Sequence, residues 1–241
     1  MIPQAIHEPT LPEGLVAIPV RTRLIVQGDD LAALMRDALH GLARPGDVVA
    51  VAETAVAIAQ GRFIGAETIR PSRLARVLAR RAGALATINQ PESLQLVIDQ
   101  VGAWRVLGAA VLQVAGRAIG RRGVFYALLG EAIAAIDGYT GTLPPYERAI
   151  VLGPAEPDRV STELAAALDL HVAIVDANDL RRAKALGASP GVVRDAVERA
   201  LLGNPAGNGD EQTPLVILAW RGTGPHPLVK RVRAPGELEP T

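Results

Sequence analysis

Short apolar runs alternate with stretches of helical periodicity along most of the chain. Leu15–Val20 and Val48–Ala52 are compact apolar segments of strand length, and residues 30–39 between them repeat apolar side chains at helical spacing behind an Asp suited to an N-cap. Together they predict a strand, helix, strand unit. Residues 71–82 predict a helix with Pro in its first turn, Leu74, Val77 and Leu78 on one face and arginines on the solvated one. Further on, Ala149–Leu152 and residues 172–176 predict strands around a helix at 160–168. A helix at 192–202 and a polar loop at 203–213 then lead into a strand at Leu215–Trp220. Two more apolar runs, 103–115 and 124–136, are shorter than the roughly 18–20 residues of a membrane span and are interrupted by Arg105 and Glu131. A folded core requires these runs to be buried, whereas a role at a membrane surface requires their apolar faces to be exposed.

Length and ends set the organisation. The 241 residues suit one large domain, with two small ones as the alternative. Residues 1–11 and 223–241 have the Pro, Gly and charge content of tails, which leaves 12–222 as the domain. No signal peptide pattern opens the chain, so a cytoplasmic location is expected.

Composition removes several chemistries. Twenty-five Lys and Arg balance twenty-five Asp and Glu, so a whole-chain field that would attract nucleic acid is missing, and no nucleic-acid partner is expected. A membrane is not an expected partner either. The chain has no Cys, which excludes disulfides, thiolate nucleophiles and Cys-ligated metal. Lys184 and Lys230 are the only lysines, so residues 1–183 cannot supply a Walker A lysine. The four His are scattered, and no Ser lies in a Gly-x-Ser-x-Gly elbow.

Three groups of polar residues remain as candidates. Asp137 and Asp176 each follow an apolar run, a place where α/β proteins hold metals and phosphates and where Asp also serves as an ordinary cap. The loop from Gly203 to Pro214 gathers Asn204, Asn208, Asp210 and Glu211, which suits a ligand loop or a mobile turn. Arg117, Arg121 and Arg122 sit on a glycine-bounded segment and suit phosphate or carboxylate, or form a plain cationic turn.

A collinear set of short motifs then carries a resemblance. Ile18-Pro19-Val20, Leu24-Ile25, Gly28-Asp29-Asp30-Leu31, Gly46 to Val51 and Gln60-Gly61-Arg62 are followed by Ala135-Ile136-Asp137, Leu143-Pro144-Pro145, Ile174 to Asn178 and Pro214 to Leu218. In this order they resemble the coenzyme F420-0:L-glutamate ligase family over residues 16–222. The resemblance implies an α+β fold with mixed sheets, forming an intertwined homodimer. It also implies a GTP- and Mn²⁺- or Mg²⁺-dependent ligase that joins L-glutamate to a deazaflavin phosphate substrate through an acyl phosphate. Position by position, it makes Asp137 and Asp176 the metal ligands. Arg23, Leu24 and Ile25 become a backbone loop around the nucleotide, with Glu53, Thr54, Thr140 and Asn178 beside it. Arg117, Arg121, Arg122, Asn208, Asp210 and Glu211 stand as substrate-contacting candidates. The pattern is broken at Ile58, which replaces a phosphate-binding lysine, at Ala177, which replaces a hydroxyl, and at Asp179-Leu180, which replace Gly-Arg. These departures leave an alternative: a non-catalytic or redirected relative that binds a nucleotide or deazaflavin phosphate.

Overall fold

The computed structural model describes residues 11–82, 90–118, 120–121, 124–130, 136–139, 144–178, 181–207 and 211–230. Their contacts divide the chain into two units, where composition alone suggested a single domain over 12–222. The first unit joins residues 1–60 to residues 154–241, and the second is the continuous stretch 61–153.

The first unit is built on a five-stranded mixed sheet. Its strands are β1 (Leu15–Val20), β2 (Val48–Ala52), β6 (His171–Asn178), β7 (Arg182–Ala188) and β8 (Leu215–Trp220), in the spatial order β1-β8-β2-β6-β7. Only β2 and β6 run parallel; every other pair is antiparallel. The apolar runs of β2, β6 and β8 are buried on both faces, as continuous hydrophobic strands should be. One face is covered by α1 (Leu31–Leu39), α2 (Glu53–Ala59) and α7 (Pro157–Leu168), through Met35, Leu39, Val56 and Leu164. The other is covered by α8 (Arg194–Ala200) and the segment behind β8, through Val197, Leu201 and Leu228. Pro19 fits an edge strand, where a missing N–H breaks no central ladder.

Residues 223–230, tail-like in composition, lie against this unit. Val193 N donates to Leu228 O at 2.8 Å and Lys230 N to Gly191 O at 2.7 Å, and Leu228 is buried. One large apolar side chain inserted into the core outweighs the local excess of Pro and Gly.

The second unit pairs a three-stranded antiparallel sheet with helices. The sheet order is β3 (Phe63–Gly65), β5 (Ala149–Leu152), β4 (Ile136–Tyr139). The helices are α3 (Arg73–Ala82), α4 (Pro91–Val101), α5 (Ala103–Ala118) and α6 (Val124–Leu129). Ala75, Ala79, Leu94, Val97, Val106, Phe125 and Ile150 form their core. The apolar run at 103–115 is buried on one side only: Val106 and Ala109 face the core, whereas Trp104, Val111, Leu112 and Val114 face solvent. Among the described residues no helix is long and apolar enough to cross a membrane, although α4 and α5 together, bent by 117°, have the composition.

Candidate functional site

The candidate site is one end of the five-stranded sheet. At that end β1, β2 and β6 finish while β7 and β8 begin, because the register pairs Val20 with Leu215, Val51 with Leu215, Ala52 with Val175, and Asn178 with Arg182. Open sheets bind ligands beyond the carboxyl ends of parallel strands, here β2 and β6. Three main-chain bonds fix the surrounding loops: Thr22 N to Gln212 O (2.9 Å), Ala52 N to Pro214 O (2.8 Å) and Gly28 N to Ala59 O (2.9 Å). Sequence positions as distant as 23, 53, 176 and 211 thereby reach one edge.

Arg23 serves its own loop. Its two terminal nitrogens donate to the Asp29 carboxylate at 2.7 and 2.9 Å, one of them also to Leu24 O, and Val26 N donates to Asp29 as well. The guanidinium bond and then the backbone bond hold the Asp29 carboxyl below its usual range. Ile25 is buried and Leu24 half-buried, so the 23–25 loop offers a ligand its backbone more than its side chains.

The strand β2 passes without an intervening turn into α2, so half-buried Glu53 and Thr54 open that helix beside the end of β6. Ile58 lies further along α2 with 8% of its surface exposed. The position at which the resemblance expects a phosphate-binding lysine is therefore filled by a core side chain.

Asp176 is exposed on the face of β6 that also carries Ile174, with Lys184 of β7 directly across. Displaced water pushes its carboxyl above the usual range, and the Lys184 charge opposes that shift. The apolar run stops at Val175, yet the strand continues to Asn178, because Asp176 and Asn178 find antiparallel partners in Lys184 and Arg182. Asp176 thus stands inside a hairpin strand, not at the point where a chain leaves the sheet. Lys184 and Arg182 were not marked by the sequence motifs; the signal available was their i, i+2 spacing, which puts both on one strand face.

At the loop entering β8, exposed Glu211 folds back over Gly207, where a Cβ would come within 2.8–3.0 Å of the carboxylate atoms. Asn204 is buried in the same loop, its carbonyl accepting from Gly207 N. Asn208 and Asp210 lie outside the described residues, as do Thr140 and Arg122. Asp137 occupies the second position of β4 in the other unit, and Arg121 is exposed near the start of α6; the side chains of Asp137 and Arg117 lie outside the described set.

Among the described residues, no three His, Asp or Glu side chains converge as a metal cage. The sheet end offers one carboxylate, Asp176, which could give a hard cation a single oxygen ligand and leave water or phosphate to supply the rest, as Mg²⁺ accepts, while the Lys184 ammonium across from it is no ligand and repels such an ion.

The profile of the F420-0:Gamma-glutamyl ligase family matches residues 19–194. The chain belongs to this family. The region matched by the F420-0:gamma-glutamyl ligase profile runs from β1 to the start of α8, and so contains the ends of β1, β2 and β6 and the start of β7. The chain is also similar to the coenzyme F420:L-glutamate ligase of Methanopyrus kandleri, with 29% identity over 142 residues. That alignment covers 59% of this chain and 48% of the relative, so the chain spans about half the length of the ligase it matches.

Proposed function

We propose that this chain joins L-glutamate to coenzyme F420-0, with the end of the five-stranded sheet holding the nucleotide phosphates. The observation that carries this reading is the Asp176–Lys184 pair beside the start of α2, inside the region matched by the family profile. Lys184 and Arg182 supply the positive charge that Ile58 cannot. On this reading the 23–25 backbone loop and Asn178 would lie along the nucleotide. A divalent cation bound through Asp176 would neutralise phosphate charge.

In the reaction, a carboxylate oxygen of the precursor attacks the γ-phosphorus of GTP and GDP leaves. The glutamate amine then attacks the acyl carbon, phosphate departs, and the amine proton passes to solvent. The protein's task is to position reactants and to balance charge, so no side-chain nucleophile is required.

The test is incubation of the full chain with F420-0, GTP, L-glutamate and Mn²⁺ or Mg²⁺, read by mass spectrometry for one added glutamyl group. Lys184→Gln is expected to lower turnover by about 10²–10³, the usual cost of one lost charge-stabilising donor. The buried Ile58 favours a second reading, a relative that binds nucleotide without ligation. Retained GTP binding with no glutamyl product selects it.

A further inference from the structure

The helix α5 carries an apolar face that the second unit leaves in water. Trp104 is 84% exposed, Val111 61%, Leu112 51% and Val114 70%, while Val106 and Ala109 on the opposite side are buried. Trp104, Gly108, Val111, Leu112 and Ala115 follow the i, i+4, i+7, i+8, i+11 spacing of one stripe. On the opposite side of the helix Gln113 is used internally, since its Oε1 accepts from Phe125 N at 2.9 Å. Of the exposed side chains described on α5, Arg105 alone is polar.

Charge decides what such a face can meet. Residues 103–122 contain Arg105, Arg117, Arg121 and Arg122 and no acidic residue, so the apolar stripe is bracketed by arginines in the sequence. The whole second unit carries eleven arginines against six Asp and Glu, an excess of five positive charges that the neutral chain total conceals. We propose that α5 docks the second unit onto the surface of anionic lipid bilayers. Sixteen residues of helix extend about 24 Å, short of the roughly 30 Å hydrocarbon core, so the helix lies in the interface plane. Its apolar face enters the acyl boundary, with Trp104 at headgroup depth, and exposed Arg105 at the edge of that face meets lipid phosphates. A second copy is a poorer occupant, because pairing two α5 faces brings together two cationic units without an acidic residue on either helix.

The test uses the full chain with vesicles of phosphatidylcholine alone or with about one-third phosphatidylglycerol. Co-sedimentation is expected with the anionic vesicles only, and it should weaken as salt is raised. Since the chain has two tryptophans, a Trp220→Phe variant leaves Trp104 as the reporter, and its emission should shift to the blue on binding. The Val111→Ser, Val114→Ser double variant alters exposed positions, so its melting temperature should hold while partitioning falls about tenfold or more. Absence of partitioning, equal partitioning onto neutral vesicles, or undiminished binding of the double variant overturns the proposal. So does self-association that the double variant abolishes without any lipid binding, because it assigns the face to a second copy.

Discussion

The carboxyl of Asp176 is more readily protonated in the folded chain than in the unfolded one, since lost water outweighs the attraction of Lys184. Its contribution to stability is therefore complete below the ordinary Asp value, near 3.9, and is lost as pH rises through the raised value. Asp176→Asn is expected to melt no lower than the parent at pH 7, while losing the thermal shift that the proposed function expects of GTP with Mn²⁺. A lower melting temperature would show that the carboxylate supports the fold. His226 works in the opposite sense. Burial holds its ring below the usual His range, against a bond to the Leu218 carbonyl at 3.1 Å. Stability from this group is present above about pH 6.5 and lost as pH falls toward the lowered value. Denaturant titrations of His226→Gln should show a flatter dependence between pH 5 and about pH 7.

At the scale of elements, tight packing and capping give separate tests. A Cβ on Gly187 would stand 2.3 Å from the Pro157 carbonyl atoms and 2.8 Å from Asp158 N, all backbone. The start of α7 rests on β7 through that glycine, so Gly187→Ala should cost about 1–3 kcal/mol or more by chemical denaturation. Asp30→Ala removes the bond from Ala33 N that opens α1, at about 1 kcal/mol. The strands Leu15–Val20, Val48–Ala52 and Leu215–Trp220 were legible because each is a compact apolar run with polar flanks. The helix α2 was not, since it begins directly after β2 at Ala52, without a capping side chain to mark the change. Nor was β7, whose alternation of alanines with Arg182 and Lys184 acquires meaning only from its pairing with β6. The same holds for the site. Asp176 and the 203–213 loop stand out as local clusters, but the Lys184 partnership depends on the register of the hairpin formed by β6 and β7.

At the scale of the whole molecule, the first unit is interrupted: residues 61–153 enter after Gln60 and the chain resumes at Pro154. Gln60 clamps the return, donating to Ala155 O at 3.1 Å and accepting from Ala155 N at 2.8 Å. The consequence concerns order of synthesis. Among the described residues the strands β1 and β2 have no partner within the first 153 positions, because β8 and β6 supply every pairing. On a translating ribosome, the apolar side chains of β2 must wait roughly 6–24 s while the residues up to β6 are made. The second unit is continuous and can close first. Chains arrested once residues 61–153 have left the exit tunnel should thus yield a protease-resistant fragment from that stretch, with residues 15–60 still open to cleavage. Protection of residues 15–60 at that stage would mean that the nascent N-terminal segment finds shelter other than its own sheet.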